Sequence, residues 1–400
     1  MRLSESVLAV PPSGIRRFFD AVSRMEDVIS LGVGEPDFAT PWTAREAAIF
    51  GLERGRTSYT ANHGLIELRR AIAAHVASRG GPEYDPHEQV LVTVGVSEGL
   101  DLGLRALINP GDEVIVPEPC YVSYAPCVRL AGGIPVPLET TAEDGFVPRP
   151  DRLERLVTPR TRAIVINYPN NPTGATMNRP LLLALAEIAA RHDLVVLSDE
   201  VYDRLTYAGV HQIFAALPGM AERTLLLNGF SKAYAMTGWR VGYAAGPEPW
   251  VAAMTKIHQY TALCASRPAQ DAALEALRRG ERDVLAMVDD YDARRRLIVA
   301  GFNRLGLPCH LPDGAFYAFP SIAPTGLSAD EFADRLLHEA RVAVVPGDVF
   351  GLGGAGHVRA SYATALPKLE EALDRVGRFL DGLPGKRSGV EGRTPALTPA

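Results

Sequence analysis

Between about residues 41 and 280, short apolar runs alternate with amphipathic segments, and this alternation restricts the chain more than any other feature. The apolar runs fall at 90–94, 113–116, 163–167, 194–198, 224–227 and 241–245, with helix-like patterns at 65–78, 97–107 and 180–191. Strands buried on both faces read as near-continuous apolar runs, and strands joined through helices pair in parallel. The expected architecture is therefore α/β, a mostly parallel sheet flanked by helices. The texture changes after about residue 281. A long charged helix through 289–305 is followed by a strand at 315–319, a helix at 329–340 and strands at 342–345 and 357–362, the pattern of a smaller α+β unit. The first 45 residues carry Pro11-Pro12 and Gly32-Val33-Gly34-Glu35-Pro36-Asp37 and read as an extended arm and loop.

A chain of 400 residues exceeds one average domain, so one large and one small unit, or two to three domains, are expected. The division predicted here is 1–45 as an arm with part of the small domain, 46–285 as the large domain, 286–383 as the small domain and 384–400 as a disordered Gly/Pro-rich tail. A formal net charge of −6 argues against a nucleic-acid or anionic-membrane surface. No window has the roughly 18 uninterrupted apolar residues of a membrane helix, and the start lacks an apolar leader, so a cytoplasmic location is expected. Cys120, Cys127, Cys264 and Cys309 form no CxxC pair and the histidines are scattered, so no protein metal site is expected.

In a parallel sheet ligands sit beyond the carboxyl ends of the strands, so the residues after each apolar run matter most. Run 90–94 leads into Gly95-Val96-Ser97-Glu98 and then a helix. Backbone N–H groups, the positive helix end and the Ser97 hydroxyl make this either an anion site or an ordinary turn with Ser97 as a cap. Tyr121 follows the next run and offers a flat face to a ring, or packs in the core. Asn170 and Asn171 stand between Pro169 and Pro172, a rigid loop with amide donors. Asp199 ends run 194–198; it is either a helix cap or a buried acid that needs a cation. Tyr202, three residues on, has the spacing of the same helical face. Run 224–227 stops at Asn228-Gly229, a turn signal, and Lys232 follows within Phe230-Ser231-Lys232-Ala233. Lys232 is either a surface lysine or an amine placed to form a Schiff base beside a bound phosphate, with Arg240 close behind. Together these groups fit one ligand. Asp199 suits a pyridinium nitrogen, Asn171 and Tyr202 a ring oxygen, Val96, Ser97 and Arg240 a phosphate, and Lys232 an aldehyde. That ligand is pyridoxal 5′-phosphate.

The chain resembles the fold-type-I pyridoxal-phosphate aminotransferases, class I/II of the aspartate aminotransferase superfamily, over about residues 30–380. Ser231-Lys232 followed by Met236-Thr237-Gly238-Trp239-Arg240 carries the resemblance, as does Asn170-Asn171-Pro172-Thr173-Gly174. Leu31-Gly32-Val33-Gly34-Glu35-Pro36-Asp37-Phe38 and Pro346-Gly347-Asp348-Val349-Phe350-Gly351 agree with it. The resemblance implies a three-layer fold, a large domain with a mostly parallel mixed sheet flanked by helices plus a smaller α+β domain. It implies that Lys232 holds the cofactor and carries the substrate α-proton, that Asp199 keeps the ring nitrogen protonated, and that Asn171 and Tyr202 bond the ring oxygen. Tyr121 would stack on the ring. Val96, Ser97 and Arg240, helped by Ser231, would hold the phosphate, and Tyr59 would reach it across a homodimer interface. Arg359 would grip the substrate α-carboxylate, assisted by Asn171 and the Gly34 backbone.

Two departures stand out: Gly229 replaces a phosphate-binding serine found in many members, and Glu98 puts an acid beside the anion loop, where it is expected to point away along the helix. The implied reaction is ping-pong transamination between an L-amino acid and a 2-oxo acid such as 2-oxoglutarate. The side-chain pocket would draw on residues 15–19, Tyr317 and partner residues near Tyr260. These are largely apolar or aromatic, which favours aromatic or broad neutral amino acids, with aspartate also open. A lyase, a cyclase or an amino-acid oxidase on the same scaffold is the alternative reading.

Overall fold

The computed structural model describes residues 3–12, 14, 22 and 25–383, so residues 15–19 and the tail 384–400 lie outside the described residues. The larger sheet has seven strands: β1 Val90–Thr93, β2 Glu113–Glu118, β3 Ile134–Glu139, β4 Thr161–Asn167, β5 Val195–Asp199, β6 Thr224–Gly229 and β7 Gly242–Ala245. Their spatial order is β1-β7-β6-β5-β4-β2-β3, and only β7 runs antiparallel to its neighbours. The α/β expectation thus holds, with a mostly parallel mixed sheet. Alternate residues of each strand serve the two faces. Val114, Val116, Val165 and Leu197 pack under helices α1 (Gly95–Leu107) and α3 (Glu248–Thr261), while Ile115, Ile164, Ile166 and Val196 pack against α2 (Arg179–Arg191).

Several boundaries differ from the sequence reading for clear reasons. β3 was not anticipated, because Pro135 and Pro137 look like punctuation. It is an edge strand, where a residue without an N–H is tolerated. Asn228-Gly229 is not a turn but the end of β6, with Gly229 paired to Gly242. A Cβ on Gly229 would lie 3.0 Å from both the Gly242 Cα and the Val96 Cγ2. The glycine therefore serves close approach rather than chain reversal.

The remaining strands are short. Ile29–Ser30 pairs in parallel with Val342–Ala343, while Val345–Pro346, Val358–Ser361 and Tyr317–Ala318 form an antiparallel three-stranded sheet. The expected single strand at 342–345 is split between these two sheets. Helix α4 (Glu281–Arg304) begins earlier than the charged pattern suggested. From it Arg294, almost buried, bonds the Asp37 carboxylate at 2.8 Å and so ties the loop after Ile29–Ser30 to the helix. The Ser361 N–H donates to Leu31 O at 2.7 Å from the other side. The loop carrying Gly34 is thereby held over the carboxyl edge of the large sheet. No helix among the described residues is long and apolar enough to cross a membrane.

Candidate active site

A cleft of about 460 Å³ opens at the carboxyl ends of β1, β2, β4, β5 and β6. Asp199, the last residue of β5, forms its floor and is 6% exposed. Its Oδ2 accepts the Tyr124 hydroxyl at 2.8 Å and its Oδ1 accepts the Val201 N–H at 3.2 Å. Burial pushes the Asp199 carboxyl up to about 6, against the pull of those two donors. A buried carboxylate bonded only to neutral donors still favours a cation, and a protonated ring nitrogen is one. Beside it, Asn167 ends β4 in register with Asp199, donates to the Asp199 carbonyl at 3.0 Å and accepts the Asn171 N–H at 3.2 Å.

Lys232 projects into the cleft from the turn after β6, and its Nζ donates to Gly34 O at 2.6 Å. Burial, with the Arg359 charge second, holds its amine down to about 8. A larger fraction is therefore uncharged near neutrality than for an ordinary lysine, as a nucleophilic amine requires. Tyr202 lines the same wall, its hydroxyl 2.8 Å from that of Tyr317. The expected helical face shared by Asp199 and Tyr202 is corrected here: residues 201–204 form turns, and the turn delivers Tyr202 to the cleft.

Arg359, 3% exposed, comes from the middle strand of the small sheet. Its Nη1 donates to Asn171 Oδ1 at 2.8 Å and its Nη2 to Gly32 O at 2.6 Å, and the guanidinium lies against Tyr317 and Phe350. Its Nε is buried with no partner among the described residues. A buried guanidinium that gives only two of its five N–H groups to neutral acceptors is suited to a carboxylate arriving from the cleft. A Cβ on Gly34 would overlap the Tyr317 hydroxyl, so only glycine lets this backbone close over the Lys232 amine.

The far end of the cleft is the start of α1. Gly95 has φ +75°, and a Cβ there would come within 2.6 Å of Arg240 Nη2. The glycine lets a guanidinium sit over a helix end whose N–H groups are free. Arg240 itself adopts a left-handed backbone, φ 54° and ψ 56°, and its Nη1 donates to Thr237 O at 3.0 Å. Val96, Ser97, Ser231 and Tyr121 line the cleft around it. Glu98 does not: it turns back toward Val94 and His258. The donor set fits pyridoxal phosphate, with a cation and N–H groups at one end, an amine at mid-cleft and a cation-seeking acid below.

Tyr59 is 81% exposed and does not line the cleft of this chain. Tyr124 and Asn167 do line it, and both were overlooked in the sequence. Tyr124 opens the short helix Tyr124–Leu130 three residues after Tyr121, so the strand-end rule that drew attention to Tyr121 applied to it as well.

The family model for aminotransferase class I and II matches residues 26–376. A putative aminotransferase of Bacillus subtilis, YugH, is 53% identical over 94% of this chain and 98% of its own length. An aromatic-amino-acid aminotransferase of Thermococcus litoralis is 47% identical over 95% of this chain and 98% of its own. Among solved structures, the aspartate aminotransferase of Thermus thermophilus with maleate superposes with a TM-score of 0.91 at 42% identity, covering 95% of this chain and 100% of that one.

Proposed function

We propose, on the footing that this chain belongs to the class I and II aminotransferases and uses pyridoxal 5′-phosphate, that it moves the amino group of an aromatic, neutral or aspartate-type L-amino acid to a 2-oxo acid such as 2-oxoglutarate by ping-pong transamination. The observation that carries this reading is the convergence of the Lys232 amine, the buried Asp199 carboxylate and the part-satisfied Arg359 guanidinium on one cleft. Bound pyridoxal phosphate supplies an electron sink for the charge left at the substrate Cα. The rest falls to side chains. Arg359 takes the α-carboxylate through the N–H groups that Asn171 and Gly32 leave free and fixes which bond at Cα faces Lys232. The Lys232 amine would remove the Cα proton and return it to the cofactor's former aldehyde carbon, across the transferred nitrogen. Asp199 holds the ring-nitrogen proton, Asn171 and Tyr202 bond the ring oxygen, and Tyr121 covers the ring face. Val96, Ser97, Ser231 and Arg240 hold the phosphate.

The side-chain reading draws on the aromatic-amino-acid and aspartate names of the relatives and on the Tyr121, Val122 and Tyr317 surfaces of the cleft. We also assign the chain to the cytoplasm and to a homodimer, with Tyr59 reaching the partner's phosphate. The homodimer draws support from Trp42, Tyr59 and Tyr260, which are 56, 81 and 84% exposed and offer aromatic surface for a partner chain to cover.

A single half-reaction tests the activity. Mixed with amino acid alone, the loaded enzyme should release one 2-oxo acid per chain and no ammonia, because the amino group stays on the enzyme until a second 2-oxo acid arrives. Continuous release of ammonia would instead identify a lyase or an oxidase. Arg359→Leu should raise KM for both amino acid and 2-oxo acid by about two orders of magnitude, the worth of a buried bidentate pair. A rise confined to one of the two substrates would remove Arg359 from the shared carboxylate site.

A further inference from the structure

The first turn of α1 contains an acid where the reading above requires an anion to bind. Glu98 stands one residue beyond Ser97, close to the N–H groups meant for the phosphate. A carboxylate at this position competes with an anion for the same donors and for the positive helix end. Both Glu98 oxygens are committed elsewhere. Oε2 accepts the Val94 N–H at 2.5 Å, and Oε1 lies 2.8 Å from Nδ1 of His258 on α3. Carboxylate oxygens only accept, so Nδ1 donates in this pair. His258 is fully buried, and its Nε2 has no partner among the described residues. Among the described residues Glu98 is therefore the one polar anchor of this imidazole ring, and the ring in turn holds Oε1 of the carboxylate.

We propose that His258 is a positioning residue for cofactor phosphate binding. By drawing Oε1 of Glu98 toward α3 while Oε2 stays on the Val94 N–H, it leaves the Gly95, Val96 and Ser97 N–H groups to the phosphate. Without His258, Glu98 keeps only its bond from the Val94 N–H, and its freed Oε1 opposes an anion at the neighbouring N–H groups. This inference rests on the reading of the α1 start and Arg240 as the phosphate end.

The test measures pyridoxal phosphate affinity and release on the full-length protein stripped of cofactor, with inorganic phosphate as a second probe of the helix end. His258→Leu should weaken both ligands about tenfold, within the range for a partly buried charge at a helix end. Glu98→Gln alone should change affinity little, and adding it to His258→Leu should restore most of the loss, because the misplaced charge is gone. His258→Gln, whose amide can still donate to Glu98, should stay near the parent and serves if the leucine variant fails to fold. In that case Glu98→Gln and His258→Gln together must also bind normally. A His258→Leu protein that binds both ligands normally overturns the proposal, as does a loss that persists in the double variant while its thermal stability matches the parent. Arg240→Leu separates the two levels: if it leaves affinity untouched, the phosphate reading itself falls, and if it alone weakens binding, only the role of His258 does.

Discussion

Replacing Lys232 with alanine is expected to lower turnover by at least about four orders of magnitude without unfolding the protein. Two contributions disappear together. On the proposed reading the amine would be both the nucleophile that holds the cofactor aldehyde and the group that carries the proton at Cα. Positioned acid–base groups alone contribute about a hundredfold to ten-thousandfold. Asp199, Arg240 and the start of α1 remain, so the variant should still bind cofactor, though without the absorbance of the covalently held form. The fold should not suffer. Burial lowers the amine from 10.5 to about 8, so the folded state binds its proton less tightly than the unfolded chain does. That cost to stability is fully present below about pH 8 and fades as the pH rises toward 10.5. The alanine variant stripped of cofactor should therefore melt no lower than the parent at pH 7, with any advantage shrinking at high pH. Full turnover in Lys232→Ala would remove the residue from the chemistry. A collapsed melting temperature would mean its bond to Gly34 O has a structural role.

Asp199 and Lys232 were legible because local chemistry marks them, an acid and an amine each just past a buried apolar run. Tyr202 was legible as a residue but not as geometry, since three-residue spacing does not distinguish a helix from the consecutive turns at 201–204. Gly229 was misread for a related reason. Asn-Gly signals a turn locally, whereas the Gly242 backbone across the sheet imposes the close approach that fixes its conformation. β3 was hidden by its prolines, which only an edge position allows. The contacts of Arg359 are the least local of all. Its partner Asn171 lies 188 residues away, and the two meet because the small sheet docks over the carboxyl edge of the large one. Local sequence supplied the strand-end chemistry and the order of the layers. The resemblance supplied Arg359, and the pairing of distant strands supplied its geometry. The hold of His258 on Glu98, 160 residues apart, had no local signal.

Asp199→Asn should separate stability from function in opposite directions. With no cofactor bound, the carboxyl is raised from its ordinary 3.8 to about 6, so the charged form is disfavoured in the folded protein by about 3 kcal/mol. The sign follows from proton binding. Between about pH 4 and 6 the folded state holds a proton the unfolded state has released, so stability falls as the pH rises through that window and the full cost is present above it. Asparagine removes the charge and keeps the local bonding. Its oxygen can accept the Val201 N–H, and its amide can donate to the Tyr124 oxygen, a hydroxyl free to turn. The cofactor-free variant should therefore be more stable than the parent at pH 8, by up to about 3 kcal/mol, and no more stable near pH 4. Turnover should fall by two to three orders of magnitude, the usual effect of losing one preorganised electrostatic contact, because a neutral amide cannot retain the ring-nitrogen proton. Denaturant melts of the cofactor-free proteins at the two pH values test the first half, and single-turnover rates test the second. A variant less stable than the parent at pH 8 would show that Asp199 is already paired with a cation in the empty cleft. A variant that keeps its rate would show that the ring nitrogen needs no proton here.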